Sequence, residues 1–260
     1  MTTLFDALLG TAELVGMTRS GVTTSGGNLT TIIDATLMDT SDSYNGGTLF
    51  LTDDYLTRRI TDYAQPSGTI TFTPAVTDTQ DDAGSYYTVT NARREDIVQA
   101  INQALRQIGA VTKIDDTLVI IANTQEYTLP MGVSNVTRIV IANDLNDPVE
   151  YHRSYSWHEY DGKLYIHEPI LQAPGHTIRL YYDANPTQVN ADTDIISDLI
   201  DRNRLYWTAA YHFFRNRIAI EGNQDQRVNL LLQEAQAKAE QLARSRPVRR
   251  QELDAKLARW

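Results

Sequence analysis

The sequence predicts an α+β fold in which strand-rich and helical stretches alternate along the chain. Residues 1–90 contain short runs rich in Thr and Tyr between turn-forming residues, and strand-like runs return from about residue 117 to 185. Residues 91–109 and 192–245 instead repeat apolar side chains at helical spacing. We therefore expect an N-terminal small β-barrel or sandwich module, a central helix and antiparallel β-sheet module, and a C-terminal antiparallel helical hairpin with an extended tail.

The N-terminal module is predicted from five short runs of β-forming residues at regular spacing. Its candidate strands are TTIIDATL, GTLFLT, TRRITDY, GTITFTPA and SYYTVT. Turn formers separate them at Gly26-Gly27, Asn45-Gly46-Gly47, Pro66-Ser67-Gly68 and Asp81-Asp82-Ala83-Gly84. Residues 1–80 contain three arginines and nine acidic residues, so this module is expected to carry much of the negative charge.

The central helix is predicted over the stretch NARREDIVQAINQALRQIG. Asn91 is the expected N-cap, and Gly109 is expected to end the helix. The apolar positions that define one helical face are Ile97, Val98, Ile101, Leu105 and Ile108.

The second β-rich stretch is predicted to form an antiparallel sheet. Its candidate strands are TLVIIA, QEYTLP, VTRIVIA, VEYHRSY, KLYIHE and TIRLYYDA. Asp161-Gly162 separates SWHEY from KLYIHE, and this dipeptide is typical of a two-residue hairpin turn.

The last quarter of the chain is predicted to form two helices. The first is expected to start in the acidic stretch at Asp192, which suits the positive end of a helix dipole, and to end at Gly222. The second follows with Val228, Leu231, Ala235, Ala239 and Leu242 on one face.

These changes in composition and apolar periodicity divide the chain into three parts. We predict a β-rich accessory module at residues 1–90, a core of helix, sheet and helical hairpin at 91–244, and a basic C-terminal segment at 245–260.

The composition excludes several classes of function. The net charge of −10 makes the whole protein a poor electrostatic partner for nucleic acid. The absence of cysteine removes disulfides, thiolate zinc sites and cysteine nucleophiles. The apolar N-terminal stretch lacks a basic flank, and no run approaches the roughly 18 apolar residues of a membrane helix, so we expect neither a signal peptide nor a membrane span.

No residue pattern supports catalysis, a metal or a cofactor. His152, His158, His167 and His176 match no standard ligand spacing, and we interpret them as surface or interface residues. The acidic pairs Asp53-Asp54, Asp81-Asp82 and Asp115-Asp116 lie beside turn formers, where Asp has local hydrogen-bonding roles. The sequence also lacks a nucleophile elbow and a phosphate-binding glycine loop. We therefore predict a protein that is not an enzyme.

Tyrosine is abundant, with 14 residues in the chain. Its apolar ring and polar tip suit protein–protein contacts, although ordinary cross-strand packing accounts for many tyrosines in strands. The strand tyrosines in question are Tyr86, Tyr87, Tyr151, Tyr155, Tyr160, Tyr165, Tyr181 and Tyr182.

The order of these parts resembles the head-to-tail adaptor (neck or connector) proteins of tailed bacteriophages. One stretch, GGTLFLTDDYLTRRITDYAQPSGTITFTPAVTDTQDDAGSYYTV at residues 46–89, resembles a β-module of phage virion proteins. A second, at residues 125–186, is similar to adaptors in its QEYTLP, GKLYIHE and RLYYDA segments. The helices that follow, with Tyr206, Ala210, Tyr211 and Arg215, fit the same pattern.

The resemblance implies a structural role in the virion. Such proteins form a ring, commonly of twelve copies, beneath the portal protein and contact the next neck or tail protein. Double-stranded DNA passes through the ring without sequence-specific binding, and assembly takes place in the host cytoplasm. The alternative from a different class is a phage tail or baseplate module that binds a host receptor or glycan.

The C-terminal segment RSRPVRRQELDAKLARW is basic on an acidic protein. Residues 244–260 contain six Arg plus Lys and two Asp plus Glu. A nucleic-acid contact, a frayed helix end and a docking segment are the three interpretations. We favour docking on the portal, because adaptors of this kind insert C-terminal segments into it. The residues expected to dock are Arg244, Arg246, Arg249, Arg250, Leu257 and Trp260.

Overall fold

A computed structural model describes residues 2–16, 18–77, 84–142, 151–154, 156–167, 174–221 and 226–245. Within these ranges the elements are, in order, β1 (Thr2–Thr3), α1 (Leu4–Val15), β2 (Thr18–Val22), β3 (Ser25–Asn28), β4 (Thr31–Ile33), β5 (Thr48–Leu51), β6 (Leu56–Ala64), β7 (Thr69–Thr73), β8 (Tyr86–Thr90), α2 (Arg94–Ile108), β9 (Val111–Val119), β10 (Glu126–Thr128), β11 (Val136–Ala142), β12 (Tyr151–Ser154), β13 (Trp157–Tyr160), β14 (Lys163–Ile166), β15 (Thr177–Ala184), β16 (Ile195–Ile196), α3 (Arg202–Glu221) and α4 (Gln226–Ser245). Helices alternate with antiparallel sheets, which confirms the predicted α+β class.

The described residues form two compact units. Unit 1 comprises the described parts of Met1–Ile108 and Thr187–Val248, and unit 2 comprises those of Gly109–Pro186. These boundaries separate two regions with dense internal contacts, and they differ from the module boundaries predicted from the sequence. The functional division into accessory module, adaptor core and C-terminal tail stays a prediction.

Unit 1 contains a seven-stranded antiparallel sheet with the order β2-β8-β5-β6-β7-β4-β3. Its edge strands, β2 and β3, are consecutive in sequence and are joined only by Thr23 and Thr24. The chain therefore connects both ends of the strand order, so the sheet must curl until its edges approach each other. Alternating side chains from its strands fill one apolar core.

Three tyrosines in this core keep their hydroxyl groups hydrogen-bonded. Tyr87 donates to Oδ2 of Asp34 at 2.7 Å, and Tyr44 donates to Oδ2 of Asp39 at 2.6 Å. Tyr63 donates to the carbonyl oxygen of Leu37 at 2.6 Å. Burial raises the pKa of Tyr87 and of Tyr44, and the neighbouring carboxylate raises each further. The core is therefore specified by polar pairing as well as by apolar packing.

Asp34 is a buried carboxylate at the edge of this core. Burial acts to raise the pKa of Asp34, but hydrogen bonds from the side chains of Thr36 and Tyr87 and from the backbone of Thr36 outweigh it, and the pKa lies below its ordinary value. The carboxylate form of Asp34 is thus favoured by the folded state.

The helices of unit 1 pack around α3, which contacts α1, α2 and α4. A Cβ atom at Gly10 of α1 would lie 2.4 Å from the Tyr206 ring, so only glycine permits this approach of α1 to α3. Hydrogen bonds from His212 to Gln107 and from Asn216 to Gln103 connect α3 to α2. Burial lowers the pKa of His212, and the charge of Arg215 lowers it further.

The two C-terminal helices pack against each other. The beginning of α3 and the end of α4 line one cavity, which is the arrangement that an antiparallel pair produces. Val228, Ala235 and Ala239 of the predicted α4 face are buried.

The predicted start of the first C-terminal helix at Asp192 is wrong. Residues Ile195–Ile196 form β16, which pairs with β1, and α3 begins only at Arg202. The acidic residues that suggested a helix start have other partners. Asp194 accepts hydrogen bonds from the backbone of Asn190 and Ala191, and Asp192 lies in the network described next.

A network around Asp192, the Arg94 lock, joins three distant parts of unit 1. Arg94 of α2 donates through Nη2 to Oδ1 of Asp192 at 2.7 Å. Thr57 of β6 donates through its backbone N–H and its hydroxyl group to Oδ2 of the same carboxylate, both at 2.7 Å. Arg94 also donates to the hydroxyl oxygen of Thr57 and to the carbonyl oxygen of Asn190. The lock therefore connects the sheet, α2 and the segment before α3.

The N-terminal residues hold elements that the sequence patterns did not predict. Helix α1 has a capping box, in which Asp6 N–H donates to Thr3 Oγ1 and Thr3 N–H donates to Asp6 Oδ2. Gly26-Gly27 was expected to be a turn but belongs to β3, which pairs with β4. The sequences TRSGV and SGGN become strands because neighbouring strands supply their hydrogen-bond partners.

The expected N-cap at Asn91 is also wrong, because α2 begins at Arg94. The backbone of Ala92 bonds to strand residues before the helix begins. Its carbonyl oxygen accepts a hydrogen bond from the Thr48 hydroxyl group at 2.8 Å, and its N–H donates to Thr90 Oγ1. The helix ends as expected, with Gly109 at a φ of 91°.

Unit 2 contains two antiparallel sheets, with the orders β10-β14-β13 and β12-β11-β15-β9. Side chains from both sheets, among them Leu164 and Ile178, share one core. The β13–β14 hairpin is confirmed: Tyr160 pairs with Lys163, and Asp161 and Gly162 both have the positive φ of a type I′ turn.

The first strand of unit 2 begins earlier than expected, at Val111 instead of about Thr117. Asp115 and Asp116 therefore lie within β9, where the pairing with β15 shifts register. Arg179 binds the carboxylate of Asp116 through two hydrogen bonds of 2.7 Å, and this cross-strand pairing offsets the low strand preference of aspartate.

We expect Arg94→Met to lower the free energy of unfolding of unit 1 by about 2–4 kcal/mol, because it leaves the partly buried carboxylate of Asp192 without its cation. Chemical denaturation followed by circular dichroism at 222 nm measures this, since the four described helices all lie in unit 1. The matched control is Arg19→Met, which removes a surface ion pair to Asp39 and should cost less than about 1 kcal/mol. Equal losses in the two variants would contradict the role of the lock.

We expect Tyr87→Phe to lower the free energy of unfolding by about 1–2 kcal/mol at neutral pH, because Asp34 loses a buried donor. The folded-state pKa of Asp34 is depressed, so its contribution is present above the unfolded pKa of about 3.9 and is lost as pH falls through the lower folded value. The difference between wild type and Tyr87→Phe should therefore shrink below about pH 4. Tyr86→Phe, on the same strand but exposed, is the control and should change stability by less than about 0.5 kcal/mol. A pH-independent difference would refute the assignment to Asp34.

Candidate interaction site

Metal-ligating side chains do not converge in the described part of the chain, where no group of three or more His, Asp or Glu is placed to hold an ion. Across the same described residues, the helices lack the combination of length and apolarity that a bilayer crossing requires.

The structure brings together two of the four histidines singled out on the sequence. His158 Nδ1 and His167 Nε2 lie 2.7 Å apart on the solvent face of the β13–β14 hairpin, and His158 stacks on Tyr165. The interpretation as a surface residue is wrong for His176, which is buried and hydrogen-bonds the carbonyl oxygen of Ala142. His152 lies in β12. The short contact between His158 and His167 is a hydrogen bond between exposed rings, so these two histidines are surface groups as expected.

The acidic pairs have local structural partners in the described residues. Asp53 Oδ2 accepts a hydrogen bond from Tyr86 N–H at 3.0 Å, and Asp115 accepts two from Thr117. Asp116 binds Arg179, as described above. Asp81-Asp82 lies outside the described residues.

Of the predicted docking residues, the structure describes Arg244. It lies in the last turn of α4 with 84% of its side chain exposed, and its guanidinium is 3.9 Å from the Glu240 carboxylate. The other five, Arg246, Arg249, Arg250, Leu257 and Trp260, lie outside the described residues.

The strand tyrosines divide between core and surface. Tyr87 is buried, Tyr165, Tyr181 and Tyr182 are half-buried, and Tyr86 and Tyr160 are exposed. The side chains of Tyr151 and Tyr155 lie outside the part of the chain that the structure describes. Exposed tyrosines suitable for contacts thus occur in both units.

A cavity of about 310 Å³ lies beside the Arg94 lock. Arg58 and Arg59 line it with Glu95, so both signs of charge are present. Arg58 donates through Nη1 to the carbonyl oxygen of Thr57, and its buried Nε has no hydrogen-bond partner among the described residues. Arg94 and Asp192 also line this cavity, so two carboxylates offset two of its three arginine charges, which reduces its attraction for an anionic ligand.

A second cavity, of about 420 Å³, lies where the end of α1, the start of α2 and the end of α3 meet. We call it the Phe213 cavity. Val15 and Phe213 are its large buried apolar side chains, and Ile220 is an apolar residue with 83% of its surface exposed. Arg93, Arg217 and Asp96 supply charge, and the remaining lining residues are Asn91, Ala92, Gln99 and Asn216. An apolar floor with a charged rim is the chemistry of a protein-docking pocket.

The loop between β5 and β6 presents an acidic aromatic surface on the same unit. We call this surface, formed by Asp53, Asp54, Tyr55 and Tyr86, the Tyr55 corner. Tyr55 is 59% exposed and Tyr86 is 60% exposed. The Tyr55 ring packs against the Phe5 ring in an edge-to-face arrangement, with 5.5 Å between ring centroids.

Neither the Phe213 cavity nor the Tyr55 corner was predicted from the sequence. The cavity joins residues from three separate helices, so no local pattern marks it. The corner has a local signal, because the letters DDY place a bulky aromatic in a tight loop after two acidic residues.

Comparison with known proteins identifies the family. A family model described as SU10 adaptor protein matches residues 71–257, which is more than two thirds of the chain. No curated protein matches the sequence. The match begins in β7 and includes all of unit 2 and the C-terminal helices. It agrees with the resemblance to phage adaptors and indicates a structural, non-enzymatic virion component. The chain therefore belongs to the SU10 adaptor protein family, a family of phage adaptor proteins.

Proposed function

We propose that the protein is the head-to-tail adaptor of a tailed phage, which forms a ring of twelve copies beneath the portal protein. The ring extends the DNA channel and carries the next neck or tail protein. The observation that supports this function is the family match over residues 71–257. In the virion the protein lies in the neck between head and tail, after assembly in the host cytoplasm.

The charge of the chain suits a DNA conduit. A net charge of −10 on each copy repels phosphates, so DNA can slide through the ring without being held. Double-stranded DNA therefore passes through the ring and is not bound as a ligand.

The proposed contact with the portal is made by the C-terminal segment. Arg244 stands exposed at the end of α4, from which residues 245–260 continue. Arg246, Arg249 and Arg250 supply cations for acidic portal residues, and Leu257 and Trp260 supply apolar anchors. An extended segment of this kind can bind its partner by adding to the edge of a sheet or by lying in a groove.

We expect deletion of residues 245–260 to weaken binding to purified portal rings at least about tenfold, because cations and anchors are lost together. Biolayer interferometry on immobilised portal measures the dissociation constant. Two full-length variants separate the contributions: R246Q/R249Q/R250Q should reduce both binding and its salt dependence, and L257A/W260A should reduce binding at all salt concentrations.

The matched control is Lys238→Gln, which removes an exposed cation from the middle of α4 and should leave binding unchanged. Unchanged affinity of the truncated protein would show that the tail does not dock. A full-length protein that is trimeric or monomeric and indifferent to portal would instead favour a receptor-binding or glycan-binding tail module over the adaptor function.

A further inference from the structure

The Phe213 cavity and the Tyr55 corner are two different surfaces of unit 1 with complementary chemistry. The cavity combines an apolar floor with two arginines and one aspartate, and its volume of about 420 Å³ exceeds that of a tyrosine side chain. The corner combines two aspartates with two exposed tyrosine rings. One surface is therefore a cationic depression, and the other is an anionic projection.

The backbone at Tyr55 indicates that its exposed position has a cost. Tyr55 has a φ of 54°, in the left-handed region that favours glycine and disfavours bulky side chains. Such a conformation is strained for a bulky residue and persists where a functional demand opposes local preference. The contact with Phe5 covers only part of the ring, since more than half of Tyr55 remains exposed.

The net charge of the chain restricts how copies can associate. Copies that each carry −10 repel one another, so a stable contact between them requires a local patch of opposite sign. A closed ring also requires two different patches on each subunit, because its interface is heterologous. The cavity and the corner meet both requirements within one chain.

We propose that the Tyr55 corner of one copy inserts into the Phe213 cavity of a second copy. Tyr55 lies against Phe213 and Val15, and the carboxylates of Asp53 and Asp54 face Arg93 and Arg217. This inference rests on the proposed ring and identifies the surface through which its subunits associate. The Ile220 side chain, exposed at the cavity, is covered by the neighbouring subunit.

Charge reversal tests the contact without removing apolar packing. Asp54→Arg and Arg93→Glu each place like charges face to face and should weaken association about tenfold or more. Arg93 directly precedes α2, where an acidic residue favours the helix dipole, so Arg93→Glu should fold normally. The double variant D54R/R93E restores opposite charges at every interface and should recover most of the association.

Two controls reverse charges elsewhere on the same unit. Asp62→Arg alters an exposed residue of β6, and Arg106→Glu alters an exposed residue of α2. Both should associate like wild type. Native mass spectrometry and sedimentation velocity, with and without purified portal rings, measure the number of copies and the dissociation constant.

The outcomes separate the interface from the function. Loss of association in both single variants with recovery in the double variant supports the contact. If all variants form rings as well as the wild type does, the proposed contact is overturned, but the adaptor function is not. Single variants that lose association without recovery in the double variant also overturn the pairing. A wild type that stays monomeric with and without portal overturns both proposals.

Discussion

The Arg94 lock is the constraint on which unit 1 depends. A single carboxylate, that of Asp192, accepts hydrogen bonds from α2 and from β6, which lie about 100 and 135 positions away in sequence. Both carboxylate oxygens of Asp192 accept hydrogen bonds, and Arg94 provides the neutralising charge. The partly buried carboxylate therefore has the partners that its removal from water requires. The lock thereby joins the curled sheet to the helices as one body.

This closely packed and hydrogen-bonded construction suits a protein whose role is to contact other proteins. The helices pack closely enough that Gly10 admits the Tyr206 ring, and the sheet core is held by hydrogen-bonded tyrosines as well as apolar side chains. The titratable groups with altered pKa values mostly serve this architecture. Asp34, for example, is kept ionised within the sheet core by hydrogen bonds from the side chains of Thr36 and Tyr87.

Sequence patterns predicted elements where one local signal dominates. The apolar periodicity of α2 and the Asp161-Gly162 turn were both confirmed, because each depends on residues a few positions apart. The edge strands β2 and β3 were missed, since their Gly-rich and Ser-rich sequences have low strand preference. β2 pairs with β8, which is distant in sequence, and β3 pairs with β4, which follows it directly. Helix α1 was missed although its Thr3–Asp6 capping box is visible in the sequence.

The sequence by itself determined the alternation of helices and strands, the absence of cysteine chemistry, and the acidic charge with its basic C-terminal end. It also carried the resemblance to phage adaptors that the family match supports. Only the tertiary structure decided the partners of Asp192, the contact of His158 with His167, and which residues line the Phe213 cavity. The physical reason is range: periodicity and turn chemistry act over a few residues, whereas ion pairs and cavities join residues that only folding brings together.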